Sequence, residues 1–139
     1  MNSFDIRTKI YFGDNALDRL EEIPYKKIMI ITDPFVVQSG MIEMVTKRLD
    51  KGSKQYSIYK DVVPDPPVDK VVGGIKALLD YQPEAIVAVG GGSAIDSAKA
   101  MREFAGKVGN LTGVALIAIP TTSGTGSEVT SFSVISDPI

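Results

Sequence analysis

An α/β fold built on a doubly wound, mainly parallel sheet is the architecture this sequence predicts, and three observations carry it. Short apolar runs at residues 27–32, 85–89 and 113–119 are too continuous for strands with one face in water and too short for buried helices. Longer stretches with helical spacing separate them, and alternation of strand and helix is the order that forms a parallel sheet with right-handed crossovers. Gly-rich turns mark the passage from strand to helix.

Residues 9–12 predict a short edge strand ended by Gly13. Asp14 is placed to cap a helix through Leu17, Leu20 and Ile23, which Pro24 stops. Residues 27–32 are a buried strand, and Asp33-Pro34 then opens a helical region interrupted at Ser39-Gly40 and resumed to about Leu49, with Met41, Met44, Val45 and Leu49 on its core face. Residues 55–59 alternate as a strand, and the prolines within 62–67 require an extended loop. From 68 to 81, Val71, Val72, Ile75, Leu78 and Leu79 recur at helical spacing despite Gly73-Gly74. A strand at 85–89, a helix over 94–104, and strands at 113–119 and 131–135 complete five or six strands.

The chain has 139 residues, room for one domain with a sizeable core. A net charge of -2, with both signs interspersed and no basic stripe, gives nucleic acid or a membrane surface no electrostatic footing. Neither a bilayer-length apolar run nor a basic-then-apolar leader is visible, so the cytoplasm is the expected compartment. With no cysteine and no histidine, thiolate and imidazole metal ligands are both missing, as is a histidine for proton transfer. The chain as it stands is therefore expected to hold a nucleotide rather than to turn over a substrate.

Two loops carry the chemistry. Gly90-Gly91-Gly92-Ser93-Ala94-Ile95-Asp96 joins a buried strand to a helix, where glycines let the backbone turn sharply and approach a ligand without Cβ atoms in the way. The helix start adds unpaired N–H groups and a positive dipole end, which suit a pyrophosphate held by Gly91, Gly92 and Ser93. This is neither G-x-G-x-x-G nor a P-loop, since Lys99 lies well inside the helix, and a tight turn alone would use the same glycines. The second loop, Thr121-Thr122-Ser123-Gly124-Thr125-Gly126-Ser127-Glu128, follows another apolar strand and is dense in hydroxyl donors that serve either a ligand or the turn itself. In an open parallel sheet, ligands bind at the carboxyl edge where these loops lie. Asp33, at the same edge, can accept from both hydroxyls of an adenosine ribose and repel a 2′-phosphate, which favours NAD over NADP; capping the next helix is its simpler use.

The Gly-Gly-Gly-Ser-x-x-Asp-x-x-Lys pattern of residues 90–99 and the 120–130 stretch resemble the signatures of iron-containing (group III) alcohol dehydrogenases. Ile30-Ile31-Thr32-Asp33 and Val63-Pro64-Asp65-Pro66 match the family's order as well, and the 32–35 stretch is similar in style to its propanol dehydrogenases. The resemblance implies a Rossmann-like NAD-binding domain spanning residues 1–139 of a two-domain enzyme. A helical second domain, not contained in this sequence, would supply one Asp and three His for iron or zinc. It implies interconversion of a short-chain aldehyde and its primary alcohol by hydride transfer, and assembly as a homo-oligomer. On the same ground Asp96, placed in the first turn of the helix, faces the nicotinamide side, while Thr121, Thr122, Ser123 and Thr125 wrap the adenine and ribose. Asp65 stands where the family often has Asn, and Glu128 serves as a structural partner. A dehydroquinate-synthase-like lyase domain, against which the 121–128 signature argues, and a non-catalytic nucleotide-binding module are the other readings.

Overall fold

The structure, a computed structural model, describes residues 9–12, 16–121 and 133–137. The strands are β1 (Lys9–Phe12), β2 (Lys27–Thr32), β3 (Gln55–Tyr59), β4 (Ala85–Gly90), β5 (Ala115–Pro120) and β6 (Ser133–Asp137). The helices are α1 (Pro34–Gln38), α2 (Ile42–Lys51), α3 (Val68–Tyr81) and α4 (Gly92–Gly109), with a 3-10 turn at Ala16–Glu21. They form a six-stranded sheet in the order β1-β6-β5-β4-β2-β3. Strands β3, β2, β4 and β5 run parallel, and β6 lies antiparallel to both β5 and β1.

The predicted doubly wound arrangement follows from side-chain alternation. On one face Ile28, Ile30, Val87, Val89, Ile117 and Ile119 pack under the 3-10 turn, α1 and α2. On the other, Met29, Ile31, Ile86, Ala88 and Leu116 pack under α3 and α4. A strand period of two makes each central strand serve both cores, which is why Thr32 is the one buried polar residue among the described positions of these strands. Thr32 is fully buried and satisfied, its Oγ1 donating to the Val89 carbonyl at 2.7 Å.

Small residues set the helix positions on the second face. Ala94, Ala98 and Ala105 of α4 are buried against the sheet. Gly74 of α3 is buried at the helix crossing, where a Cβ would lie 2.6 Å from Met101 Cε and 3.3 Å from Tyr59 Cζ. That close approach fixes which side of α3 faces inward. Leu78 is buried as expected, but Val72 is 55% exposed, because a contact stripe through Gly74 and Leu78 puts position 72 on the outer side.

Other departures are local. Residues 16–21 form a 3-10 turn rather than an α-helix, closed by Glu22 N–H donating to the Arg19 carbonyl at 3.0 Å; Asp14, the expected cap, lies outside the described residues. Helix α4 is longer than the 94–104 expectation and ends at Asn110, in the left-handed conformation (φ 60°). Its late turns contain Gly106 and Gly109, poor helix formers that tertiary packing retains: a Cβ on Gly109 would collide with the Leu79 side chain.

At the amino-terminal rim of the sheet, Glu84 ties three strands together. Its Oε1 accepts from Lys26 N–H at 2.6 Å and Lys27 N–H at 3.3 Å, its own N–H donates to the Lys27 carbonyl, and its carbonyl accepts from Ala115 N–H. These backbone bonds to the carboxylate hold its pKa below the ordinary 4.5. A depressed folded-state pKa contributes stability that is complete above the unfolded value and is lost as pH falls through the folded one. Glu84→Gln is therefore expected to destabilise the chain at pH 7, by no more than about 1 kcal/mol for so exposed a group, and to make little difference near pH 2. Urea unfolding at the two pH values reads this directly; an equal loss at both would assign the effect to geometry rather than charge.

Candidate nucleotide-binding site

Strands β2, β4 and β5 end at one rim, with Thr32 level with Val89 and Gly90 level with Pro120. From β2 the chain turns onto the first face as α1, and from the adjacent β4 it turns onto the opposite face as α4. Divergence of neighbouring strands in this way opens a crevice at the carboxyl edge of the sheet. Here the cleft is about 410 Å³, and Asp33, Phe35, Val63, Gly91, Gly92, Ser93 and Thr121 are among the residues lining it. A smaller pocket of about 90 Å³ lies beyond the Val62-Val63 turn, mainly apolar and bounded by Tyr59, Val71 and Met101.

The glycines of the β4–α4 turn differ in what they do. Gly90, the last residue of β4, has φ +145°, and a Cβ there would sit 2.9 Å from Ala94 Cβ and 3.1 Å from Asp33 Oδ2. Its backbone and its neighbours both require glycine. Gly91 is the N-cap of α4 in ordinary extended geometry (φ -82°), and a Cβ on Gly91 or Gly92 would meet nothing within 4 Å. Nothing in the described structure therefore demands glycine at 91 or 92; the space their side chains would fill is the cleft. Among the described residues no side chain caps the N-terminus of α4, whose first residues Gly91, Gly92 and Ser93 line this opening with the positive end of a helix dipole behind them.

Asp33 does the simpler of its two predicted jobs and stays placed for the other. Its Oδ1 accepts from Val36 N–H at 2.8 Å, capping α1, whose first residue is Pro34. The carboxylate is only partly buried and borders the cleft. Thr121, across β4 from it, lines the same cleft, its N–H donating to the Gly90 carbonyl at 2.9 Å. The two turns that sequence reasoning paired are thus joined by a backbone bond.

One site residue sits differently from its expectation. The sequence puts Asp96 in the first turn of the helix, but α4 begins at Gly92 and has no acid in that turn; Asp96 lies beyond it, exposed, and is not among the residues lining the cleft. Gly92 is a poor helix former, which hid the true start. Thr122, Ser123, Thr125 and Glu128 lie outside the described residues. Asp65 adopts a left-handed conformation (φ 46°) that Asn and Asp tolerate best, so an acceptor side chain of either kind suits the backbone there.

Phe35, Val63 and Pro64 line the cleft although the sequence motifs containing them point to no site role for them. The prolines of the 62–67 loop signalled irregular backbone but not its destination. Val62 N–H donates to the Thr32 carbonyl at 3.3 Å, and this bond brings the loop to the rim. Among the described residues no three Asp, Glu, His or Cys side chains gather, so those residues do not fit a metal site. Nor does any helix among them have the length and apolarity to cross a membrane.

The sequence profile of iron-containing alcohol dehydrogenases matches residues 7–139. This chain belongs to that family. Among the family's curated members it is 44% identical over 138 residues to 1-propanol dehydrogenase PduQ of Citrobacter freundii, and 41% identical over 138 residues to PduQ of Salmonella typhimurium. Both alignments cover 99% of this chain but 37% of the relative, so the chain spans a little over a third of their length. Among solved structures, NADH-dependent butanol dehydrogenase A of Thermotoga maritima superposes with a TM-score of 0.74 at 25% identity, covering 92% of this chain and 36% of that one. Alcohol dehydrogenase from Oenococcus oeni gives a TM-score of 0.69 at 26% identity, over 88% and 40% of the two chains. The α/β, Rossmann-like sheet is the part this chain shares with them.

Proposed function

We propose that residues 1–139 form the dinucleotide-binding unit of an NAD-dependent alcohol dehydrogenase acting on a short-chain primary alcohol or its aldehyde. One observation carries the reading: the α4 N-terminus, uncapped by any described side chain, opens through two glycines that no described neighbour requires to be glycine onto a cleft of about 410 Å³ bordered by a carboxylate. Backbone amides of Gly91, Gly92 and Ser93 would hold the diphosphate, as helix N-termini commonly hold anions. Asp33, kept in place by its bond to Val36 N–H, would accept from the ribose hydroxyls. Thr121, and in this proposal Thr122, Ser123 and Thr125, would donate to the remaining polar atoms. When bound, an oxidised nicotinamide would supply the hydride acceptor for an alcohol carbon. The family's iron would need ligands other than the described residues. The names of the PduQ relatives support a small alcohol, and that of the Thermotoga butanol dehydrogenase supports NADH.

Fluorescence titration of the full chain with NADH and NADPH tests the reading. NADH is expected to bind at least about tenfold more tightly, since a 2′-phosphate would meet the Asp33 carboxylate, and Asp33→Gly is expected to remove most of that gap. An unchanged preference in the variant would take Asp33 out of the site. Failure of the unmodified protein to bind either nucleotide would end the proposal.

A further inference from the structure

Phe35 is 61% exposed, in a chain whose other large side chains at the sheet's centre are almost fully buried. It packs into neither hydrophobic core. The remaining well-exposed apolar residues of the described helices, Val68, Val72, Phe104 and Val108, lie on α3 and α4 and do not line the cleft, whereas Phe35 does. It is the aromatic among the lining residues, and Val63 and Pro64 add apolar surface to the same opening.

Its mount is rigid. Pro34 fixes the backbone immediately before it, and the Asp33 carboxylate binds Val36 N–H immediately after it, so the ring projects from a backbone locked on both sides. A platform held this way loses little freedom when a ligand covers it.

We infer that the Phe35 ring is the surface on which the adenine base of the dinucleotide stacks. This rests on the nucleotide reading given above, and the geometry of the ligand makes the link. In adenosine the base is attached at C1′, next to the carbon bearing the 2′-hydroxyl, so a carboxylate at position 33 that holds the ribose hydroxyls brings the base to the residues beside it. Aromatic faces suit that role because every base has a π-face, and a flat apolar ring left in water gains by being covered.

Three ligands separate this role from a structural one: NADH, AMP, and reduced nicotinamide mononucleotide, which lacks the adenosine half. In the full chain, Phe35→Ala is expected to weaken NADH and AMP about tenfold, the scale of one base–aromatic stack, and to leave the mononucleotide within about twofold. Phe35→Tyr is expected to keep the unmodified affinities. The chain has no tryptophan, so Phe35→Trp adds a reporter at this position, and its emission is expected to be quenched by AMP. Unaltered NADH affinity in Phe35→Ala, equal weakening of the mononucleotide, or an indole blind to AMP would each overturn the assignment while leaving the nucleotide site standing. An unmodified protein that binds no NADH would instead remove the site itself, and this role with it.

Discussion

Gly90→Ala is expected to lower the unfolding free energy by about 3 kcal/mol and to reduce nucleotide binding along with it. Two costs combine. A φ of +145° is a conformation that residues with a Cβ rarely adopt, and the added methyl would stand 2.9 Å from Ala94 Cβ and 3.1 Å from Asp33 Oδ2. Neither neighbour can give way cheaply. Ala94 is seated against the sheet in the first turn of α4, and Asp33 is held by Val36 N–H. Relief would require α4 or α1 to slide, and both helices frame the cleft. Urea unfolding of the variant measures the total, and pairing it with Ala94→Gly divides the sum: the double variant recovers the contact with Ala94 but not the backbone strain. A loss below about 1 kcal/mol would mean that the turn relaxes and that Gly90 is not a fixed corner of the site.

The adjacent glycine is expected to give the opposite result. Gly91→Asp places one of the favoured N-cap residues at the cap of α4, in extended geometry that any residue accepts and in open space, so stability should stay level or rise by about 0.5 kcal/mol. The same carboxylate would occupy the amides proposed for the diphosphate and repel it, so NADH affinity should fall at least about a hundredfold. What suits the helix excludes the ligand. Thermal unfolding and NADH titration on one preparation check both halves, and a variant that still binds NADH normally would remove the α4 N-terminus from the site.

These neighbours show what could and could not be read from the chain. The buried strands were legible because β2, β4 and β5 are apolar on both faces, a pattern imposed by their position at the sheet centre. The break between α1 and α2 was legible from Ser39-Gly40, where Gly40 has φ +85°. The glycine cluster announced a turn, yet not the division of labour within it: whether a glycine is demanded by its backbone, its neighbours or a ligand depends on Asp33 and Ala94, brought together by folding. The start of α4 was misjudged for a related reason, since Gly92 is helical through its surroundings rather than its propensity. Phe35 has no role assigned from sequence because an aromatic three residues after a buried strand ordinarily belongs to the core; its exposure is a fact of tertiary structure alone.

The place of β6 in the sheet has a consequence during synthesis. Lys9–Phe12 joins the other strands through Ser133–Asp137, which lies between it and β5. At roughly 5–20 residues per second, the first strand leaves the ribosome on the order of ten seconds before its mate exists. Throughout that wait the first strand has no partner, whereas β5 is completed only on the order of a second before translation delivers the segment that seals its edge against illicit pairing with other chains.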